Sequence, residues 1–286
     1  MSSSSITSIT NLLSFLDDLG VRAKKSLSQN FLIDQNITRK IAESASLRRD
    51  DLLIEIGPGP GGLTEELLKH CDKIICIELD RTFAKALSRF GDKVEVFEAD
   101  ILEFDLLTLL KERLKKGCRA KIVSNLPYHI TTPILAKLLP YGAFIETVTV
   151  MVQKEVAVRF VAKPNTKDYS SISLFLSYYS TAKYLFQVTR NCFHPKPNVD
   201  SAIVQFHLPE KGHDLNEETF FKMTRRAFGQ KRKMLRGSLK ELYPTIEEHL
   251  LKIGKSITSR PQEFALADMI ALHNSIQQDS CAQTHQ

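Results

Sequence analysis

The feature that most constrains the fold of this chain is a glycine-rich turn between an apolar segment and a helical one. Residues 51–56 read as a buried strand, residues 57–62 contain four glycines and two prolines, and residues 63–68 have helical spacing. This order is the context of a nucleotide-binding loop, because glycine lets the backbone approach a ligand closely. The spacing is G-x-G-x-G and no Lys-Ser/Thr pair follows, so the expected ligand is neither a dinucleotide nor a triphosphate.

Acidic residues end the next two predicted strands. The strand over 73–77 runs into Glu78, about 20 residues beyond the turn, where a carboxylate commonly binds ribose hydroxyls. The strand over 94–97 ends near Asp100. Each carboxylate alone is equally well explained as a helix cap or a loop residue. Glycine, Glu and Asp at three successive strand ends favour a ligand site, since ligands of open α/β sheets bind at the carboxyl ends of the strands.

A fourth predicted strand, 121–124, runs into the tetrapeptide Asn125-Leu126-Pro127-Tyr128. An exocyclic amine on a base is a poor nucleophile, because its lone pair is delocalised into the ring. The Asn125 side-chain carbonyl and a nearby backbone carbonyl would accept its N–H groups and localise that lone pair, while Tyr128 would stack on the base. Pro127 stiffens the turn. Taken alone, the four residues are also explained by a capped strand-to-helix turn.

Length and composition set the outer limits. The 286 residues are 43% hydrophobic, enough for one large and one small domain, and the net charge of +6 is compatible with a nucleic-acid partner. The five cysteines are odd in number and have no metal-type spacing, so we expect a reducing cytoplasm, no disulfide framework and no metal. No apolar run is long enough for a membrane span. Residues 1–10 lack a basic signal-type start, and we expect them to be disordered.

The order of the predicted elements indicates an α/β fold. Strands alternate with helices over 51–125, and further strands are predicted over 147–152, 183–188 and 202–207, which gives an open, mostly parallel, Rossmann-like sheet. Beyond residue 209 only helical periods remain. The predicted domains are an N-terminal tail with a short helix (1–24), a catalytic domain (25–208) and a small all-helical domain (209–286).

Basic residues are concentrated in two places. Residues 222–240 contain eight of them and no acid. Such a helical face would neutralise nucleic-acid phosphates, although a solvated helix surface is the alternative. A shorter basic stretch precedes residue 29. The candidate nucleic-acid-binding residues are Arg22, Lys24, Lys25, Arg225, Arg226, Lys231, Arg232, Lys233 and Arg236.

Together the motifs resemble a known family. The glycine turn, Glu78, Asp100 and the tetrapeptide are similar to class I S-adenosylmethionine methyltransferases that act on adenine N6. The segments 28–34, 153–157 and 193–201 resemble those of ribosomal RNA adenine dimethyltransferases, and the likeness runs from about residue 25 to residue 239. His129 departs from the Asn often found there. Leu126 favours the branch that modifies 16S rRNA over the resistance-type 23S branch, which more often has Ile.

The resemblance implies a seven-stranded class I sheet with an antiparallel last strand, and an enzyme that dimethylates two adjacent adenosines in the 3′-terminal hairpin loop of 16S rRNA. The expected partner is the immature small subunit, bound by a monomer. Alternatives are a 23S rRNA adenine methyltransferase, a DNA adenine methyltransferase and a mainly non-catalytic ribosome assembly factor. The resemblance implies cofactor contacts by Asn30, Leu32, Gly57, Gly59, Gly61, Glu78, Asp100 and Asn125.

The resemblance also assigns the acceptor end. Asn125 and the Leu126 carbonyl would accept from N6, and the flipped adenosine would lie between the rings of Tyr128 and Phe193. For Phe193 the alternative is a ring that only fills the core.

Overall fold

The computed structural model describes residues 5–23, 29–230 and 233–283. Its largest element is a seven-stranded sheet in the order β4-β3-β2-β5-β6-β9-β7, and a separate two-stranded sheet pairs β1 with β8. The strands are β1 (Phe31–Leu32), β2 (Leu53–Ile56), β3 (Ile74–Glu78), β4 (Val94–Glu98), β5 (Ala120–Asn125), β6 (Ile145–Gln153), β7 (Thr181–Val188), β8 (Phe193–His194) and β9 (Ser201–His207).

Twelve α-helices lie in the described parts of the chain. They are α1 (Ile9–Asp18), α2 (Gln35–Ser44), α3 (Gly62–Leu67), α4 (Arg81–Ala86), α5 (Leu106–Arg113), α6 (Thr131–Leu138), α7 (Lys154–Phe160), α8 (Ser171–Tyr179), α9 (Glu217–Phe228), α10 (Leu235–Leu239), α11 (Ile246–Lys252) and α12 (Leu266–Gln283). In the described part of the chain, none of these helices is both long enough and apolar enough to cross a bilayer.

The chain forms two compact units. The first consists of Met1–Ala157 and Tyr179–Lys211, and the second of Val158–Tyr178 and Gly212–Gln286. The second unit therefore includes a segment, 158–178, that the sequence prediction grouped with the catalytic domain.

The large sheet belongs to the first unit and is the predicted α/β sheet. Strands β2 to β6 pair in parallel, and β9 is antiparallel to both β6 and β7. The strand interiors are apolar because helices cover both faces of a parallel sheet; all four residues of β2 and all five of β3 are buried. The parallel strands bring their carboxyl ends, and the residues that follow them, to one edge of the sheet.

A buried ion pair fixes the register at the opposite edge. Lys121 Nζ lies 2.9 Å from Asp51, and both side chains are almost fully buried. The same ammonium group donates to the Ser46 carbonyl at 2.7 Å. Because Leu53 on β2 is opposite Lys121 on β5, this pair joins the starts of the two strands whose far ends carry Gly57 and Asn125.

The second unit is helical. On α9 the buried residues Phe220, Met223, Ala227 and Phe228 recur at the spacing of one helix face, and the ring of Phe220 stacks on Tyr178 with centroids 5.1 Å apart. Pro261–Glu263 is a 3₁₀ helix, and α12 follows from Leu266.

The prediction of disorder for residues 1–10 was wrong for residues 5–10. Ile6 and Thr7 are buried, and α1 begins at Ile9 behind Ser8, whose hydroxyl accepts from the Asn11 N–H at 3.3 Å. Gly20, just beyond the end of this helix, adopts the left-handed conformation (φ +65°) typical of a residue beyond a helix C-terminus. Residues 1–4 lie outside the described residues.

Candidate active site

A pocket lies at the carboxyl edge of the sheet, where β2, β3, β4 and β5 end. Its walls come from residues 29–32, the glycine turn and the residues after three further strands. The predicted site residues that line it are Asn30, Leu32, Gly57, Gly59, Glu78, Asp100, Asn125, Leu126 and Tyr128.

The glycine turn forms the floor of the pocket and needs glycine at two positions. Gly57 has φ +64° and Gly59 has φ +55°, a region that side chains with a Cβ rarely adopt. The Gly57 N–H donates to the Ile77 carbonyl at 2.9 Å, which ties the turn to the end of β3. A Cβ on Gly57 would meet no atom within 4 Å, so the space above this backbone is open to a ligand.

Gly61, the third predicted glycine of the site, packs against residues behind the turn. It is the N-cap of α3 with φ +87°, and a Cβ there would lie 2.9 Å from both Arg89 Nη2 and Phe90 Cε2. It is absent from the pocket lining. Gly61 is therefore required by the packing behind the turn, and its contact with the cofactor stays a prediction.

Glu78 is buried at the end of β3, with 6% of its surface exposed. One carboxylate oxygen accepts from the Gly59 N–H at 2.9 Å and the other from the Asp80 N–H at 2.7 Å. Burial raises the pKa of this carboxyl, and hydrogen bonds from the backbone of Asp80, Gly59 and Leu79 oppose that rise. Each oxygen keeps a lone pair that hydroxyl groups of a ligand can use.

Asp100 is held in the loop after β4. Its carboxylate accepts from the Leu102 N–H at 2.8 Å. Lys137 on α6 fixes the same loop, because its ammonium donates to the carbonyls of Leu102 at 2.8 Å and Phe104 at 2.6 Å. The loop thus has a defined shape before any ligand binds.

Glu55 lines the pocket but was not among the predicted site residues. It is 1% exposed and accepts from the Thr64 hydroxyl at 2.7 Å. Burial raises its pKa to about 8. A charged residue in a strand pattern that is otherwise fully apolar was the signal that could have identified it.

At the other end of the pocket, Asn125 is the last residue of β5. Its amide donates to the Asn30 carbonyl at 3.3 Å, which orients the side chain and leaves its carbonyl oxygen for another partner. The preceding Ser124 hydroxyl donates to the Ile56 carbonyl at 2.5 Å and joins the ends of β5 and β2. The glycine turn and Asn125 are therefore held side by side.

Tyr128 follows in a short 3₁₀ helix, Tyr128–Ile130. Its hydroxyl lies 2.6 Å from the Ser201 hydroxyl. Burial raises the pKa of the Tyr128 phenol, so the ring stays neutral at physiological pH. A neutral aromatic ring that lines a pocket beside an amide is suited to stack on a base.

Phe193 does not line the pocket. Its ring is 3% exposed and belongs to a hydrophobic cluster that includes Leu32 and Leu63. The reason lies in the antiparallel pairing of β1 with β8, which places Leu32 opposite Phe193 and lays both side chains in the core. This conformation does not present Phe193 to a base, and the stacking role predicted from the family pattern stays a prediction.

The candidate RNA-binding residues are only partly described. Lys24, Lys25, Lys231 and Arg232 lie outside the described residues, whereas Arg22, Arg225, Arg226 and Lys233 are exposed.

The basic run has acidic neighbours that its own sequence does not reveal. Arg226 forms an ion pair with Glu241, and Arg236 lies 3.6 Å from Glu247. For Lys222 and Arg225 no ion pair occurs within the residues that the structure describes. On α9, Lys222 and Arg225 are therefore the basic residues best placed to contact RNA phosphates.

Three comparisons relate this chain to known proteins. The family model described as ribosomal RNA adenine dimethylase matches residues 20–278. "Ribosomal RNA small subunit methyltransferase A" of Protochlamydia amoebophila is 45% identical over 92% of this chain and 94% of its own. The protein of the same name from Geobacillus thermodenitrificans is 40% identical over 90% of this chain and 92% of its own.

Solved structures agree on the fold. A dimethyladenosine transferase from Plasmodium falciparum superposes with a TM-score of 0.73 at 23% identity, over 87% of this chain and 98% of that one. The 23S rRNA methyltransferase ErmE has a TM-score of 0.66 at 27% identity, over 87% of this chain and 100% of that one. Both comparisons support the class I methyltransferase sheet described above.

Proposed function

Because the chain belongs to the ribosomal RNA adenine dimethylase family, we propose that it transfers methyl groups from S-adenosylmethionine to N6 of two adjacent adenosines in the 3′-terminal hairpin loop of small-subunit rRNA. The observation that carries this proposal is one pocket lined at one end by Glu78 and Asp100 and at the other by Asn125 and Tyr128. A donor and an acceptor base would therefore meet within a single cavity.

The residues at the donor end fit S-adenosylmethionine. The free lone pairs of the Glu78 carboxylate suit two ribose hydroxyls, and the Asp100 carboxylate suits the adenine amine. The open backbone at Gly57 admits the rest of the molecule, while Asn30 and Leu32 border the methionine end. The exposed apolar side chain of Leu79, next to Glu78, adds a surface for the purine ring.

The acceptor end of the pocket promotes methyl transfer by positioning the N6 amine against the methyl group. Asn125 Oδ1 and the Leu126 carbonyl accept the two N6–H groups and localise the amine lone pair towards the methyl group, and Tyr128 stacks on the flipped base. S-adenosylmethionine supplies an electrophilic methyl on a sulfonium, which is already a good leaving group. The new N–C bond forms as the C–S bond breaks, and the extra N6 proton passes to solvent. Alignment and exclusion of water thus account for most of the rate.

The substrate is proposed to be the immature small subunit, bound by a monomer in the cytoplasm. Two relatives at 45% and 40% identity are named for small-subunit rRNA. In this proposal residues 25–208 catalyse, residues 209–286 dock the RNA through α9, and the basic stretch at Arg22 contributes to RNA binding. The four described free cysteines fit a reducing compartment.

The test is a substrate comparison. The protein is incubated with methyl-labelled cofactor and one substrate at a time. The substrates are immature small subunits, large subunits, naked rRNA and DNA, and the modified nucleosides are identified in each reaction. We expect N6,N6-dimethyladenosine in the small subunits. Transfer to large subunits instead would favour the 23S activity, and absence of transfer to every substrate would contradict the proposal.

A further inference from the structure

The N-terminal segment, residues 5–19, forms part of the pocket that the donor occupies. Ile6 and Leu12 line the pocket and are 7% and 1% exposed. The segment also lies close to the glycine turn, since a Cβ on Gly62 would lie 3.5 Å from Thr7 Cγ2. Two apolar side chains of this segment thus complete a wall that the sheet edge leaves open.

A polar bridge holds the start of the segment. The Ser5 hydroxyl donates to Glu65 at 2.8 Å, and the Asn11 amide donates back to the Ser5 carbonyl at 2.7 Å. Glu65 lies in the first turn of α3, the helix that begins directly after the glycine turn. Ser5 is therefore linked to α3, the helix that directly follows the glycine turn at the donor end of the pocket.

Arg89 also connects the N-terminal segment to the glycine turn and α3. Its Nη2 donates to the Pro60 carbonyl at 2.5 Å and lies 3.5 Å from Glu65. The guanidinium lies 4.8 Å from the ring centroid of Phe15 on α1 and 4.3 Å from that of Phe90. A planar cation is suited to this position, because it donates hydrogen bonds in its plane while its faces contact aromatic rings.

We propose that Arg89 is a positioning residue for the donor end of the pocket, which latches the N-terminal segment over the glycine turn so that S-adenosyl ligands leave only when the segment loosens. The inference rests on the proposed function for the identity of the ligand. A segment held by few contacts opens locally at low free-energy cost. The Arg89 contacts raise that cost, and their main effect is on the ligand's dissociation rate.

The experiment measures S-adenosylhomocysteine release by stopped flow from the full chain and its variants. Arg89→Met removes the charge and the planar group, Arg89→Lys keeps only the charge, and Phe15→Ala removes one contact without altering the turn. The matched controls are Arg81→Met, whose side chain is 73% exposed, and Leu13→Ala on the exposed side of α1.

The expected result is a graded change in release. Arg89→Met accelerates dissociation about tenfold, equivalent to ~1.4 kcal/mol, with a much smaller change in the association rate. Phe15→Ala and Arg89→Lys give smaller accelerations, and both controls release the ligand at the wild-type rate. In ligand-free protein, Arg89→Met also increases amide hydrogen exchange over Ile9–Asp18.

The proposal would be overturned if the folded Arg89→Met and Phe15→Ala proteins released the ligand at the wild-type rate and also showed wild-type amide hydrogen exchange over Ile9–Asp18. If Arg89→Met does not fold, Phe15→Ala decides by the same two readouts. A wild-type protein that does not bind S-adenosylhomocysteine would contradict the proposed function, and the exchange measurement on ligand-free protein would still judge the latch.

Discussion

The hydroxyl of Tyr128 lies 2.6 Å from the hydroxyl of Ser201, the first residue of β9. Ser201 is fully buried and is opposite both Gln153 on β6 and Val188 on β7, so the sheet fixes its position. The Tyr128 ring is therefore held at its far edge by the antiparallel strand. This contact explains how a short loop after β5 can keep an aromatic ring in place beside the pocket.

The first prediction separates the ring of Tyr128 from its hydroxyl. Tyr128→Ala should slow methyl transfer by about 10- to 100-fold, because base–aromatic stacking contributes ~1–3 kcal/mol. Tyr128→Phe and Ser201→Ala keep the ring and lose one neutral hydrogen bond, so transfer should fall less than about tenfold. S-adenosylhomocysteine affinity should not change in any of the three. Single-turnover assays and calorimetry test this, and a Tyr128→Ala protein with normal turnover would exclude the stacking role.

Glu78 should determine cofactor affinity. Glu78→Ala should weaken S-adenosylmethionine binding by about 100-fold or more, since it removes two hydrogen bonds to a charged group that contribute ~1.5–3 kcal/mol each. The matched control is Glu98→Ala, an exposed carboxylate opposite Glu78 on β4. Calorimetry is the measurement. Equal affinities for wild type and Glu78→Ala would show that the ribose is bound elsewhere.

Glu55 should make stability depend on pH. Its pKa is raised from 4.5 to about 8 in the folded protein, so between these values the native state holds a proton that the unfolded state has lost. The free energy of unfolding should therefore fall as pH rises through this window, by an amount on the order of a few kcal/mol. Glu55→Gln removes this titration and should be more stable than wild type at pH 8 to 9.

Urea midpoints at several pH values test the role of Glu55. The control is Glu103→Gln, at an exposed position. Parallel stability curves for wild type and Glu55→Gln would contradict the raised pKa.

Lys222 and Arg225 should contact RNA phosphates. They are one helical turn apart on α9, and both are exposed. Replacing each by Ala should weaken small-subunit binding and lower the salt slope by roughly one per lost contact, without changing which adenosines are modified. Cofactor affinity should be unaffected. Lys252→Ala, whose partner is Asp279, is the control, and an unchanged salt slope in the double variant would assign RNA binding to another surface.

Sequence patterns predicted what depends on local order along the chain. The strand ends that carry Gly57, Glu78, Asp100 and Asn125 follow from apolar periodicity and glycine chemistry, and the α/β sheet is confirmed. The antiparallel last strand, which the family resemblance implied, is confirmed as well. These residues meet because parallel strands align their carboxyl ends, a rule that needs no tertiary detail.

The contacts that were missed join residues far apart in sequence. Ser5 meets Glu65, and Arg226 meets Glu241, so neither the ordered N-terminus nor the neutralised cation could be seen in the local pattern. For Phe193, the pairing with Leu32 determines which way the ring points, and this pairing cannot be predicted from the residues near Phe193 in sequence. The predicted domain boundaries and site roles stay predictions.

Single-turnover methyl transfer to immature small subunits by wild type and Asn125→Ala tests the central claim most directly. The account predicts that wild type forms N6,N6-dimethyladenosine, whereas Asn125→Ala is slower by about 100-fold, the effect typical of removing one hydrogen-bonding group that acts in the transition state. Subunit and S-adenosylhomocysteine affinities should stay close to wild type. An Asn125→Ala protein that dimethylates small subunits at the wild-type rate would contradict the account.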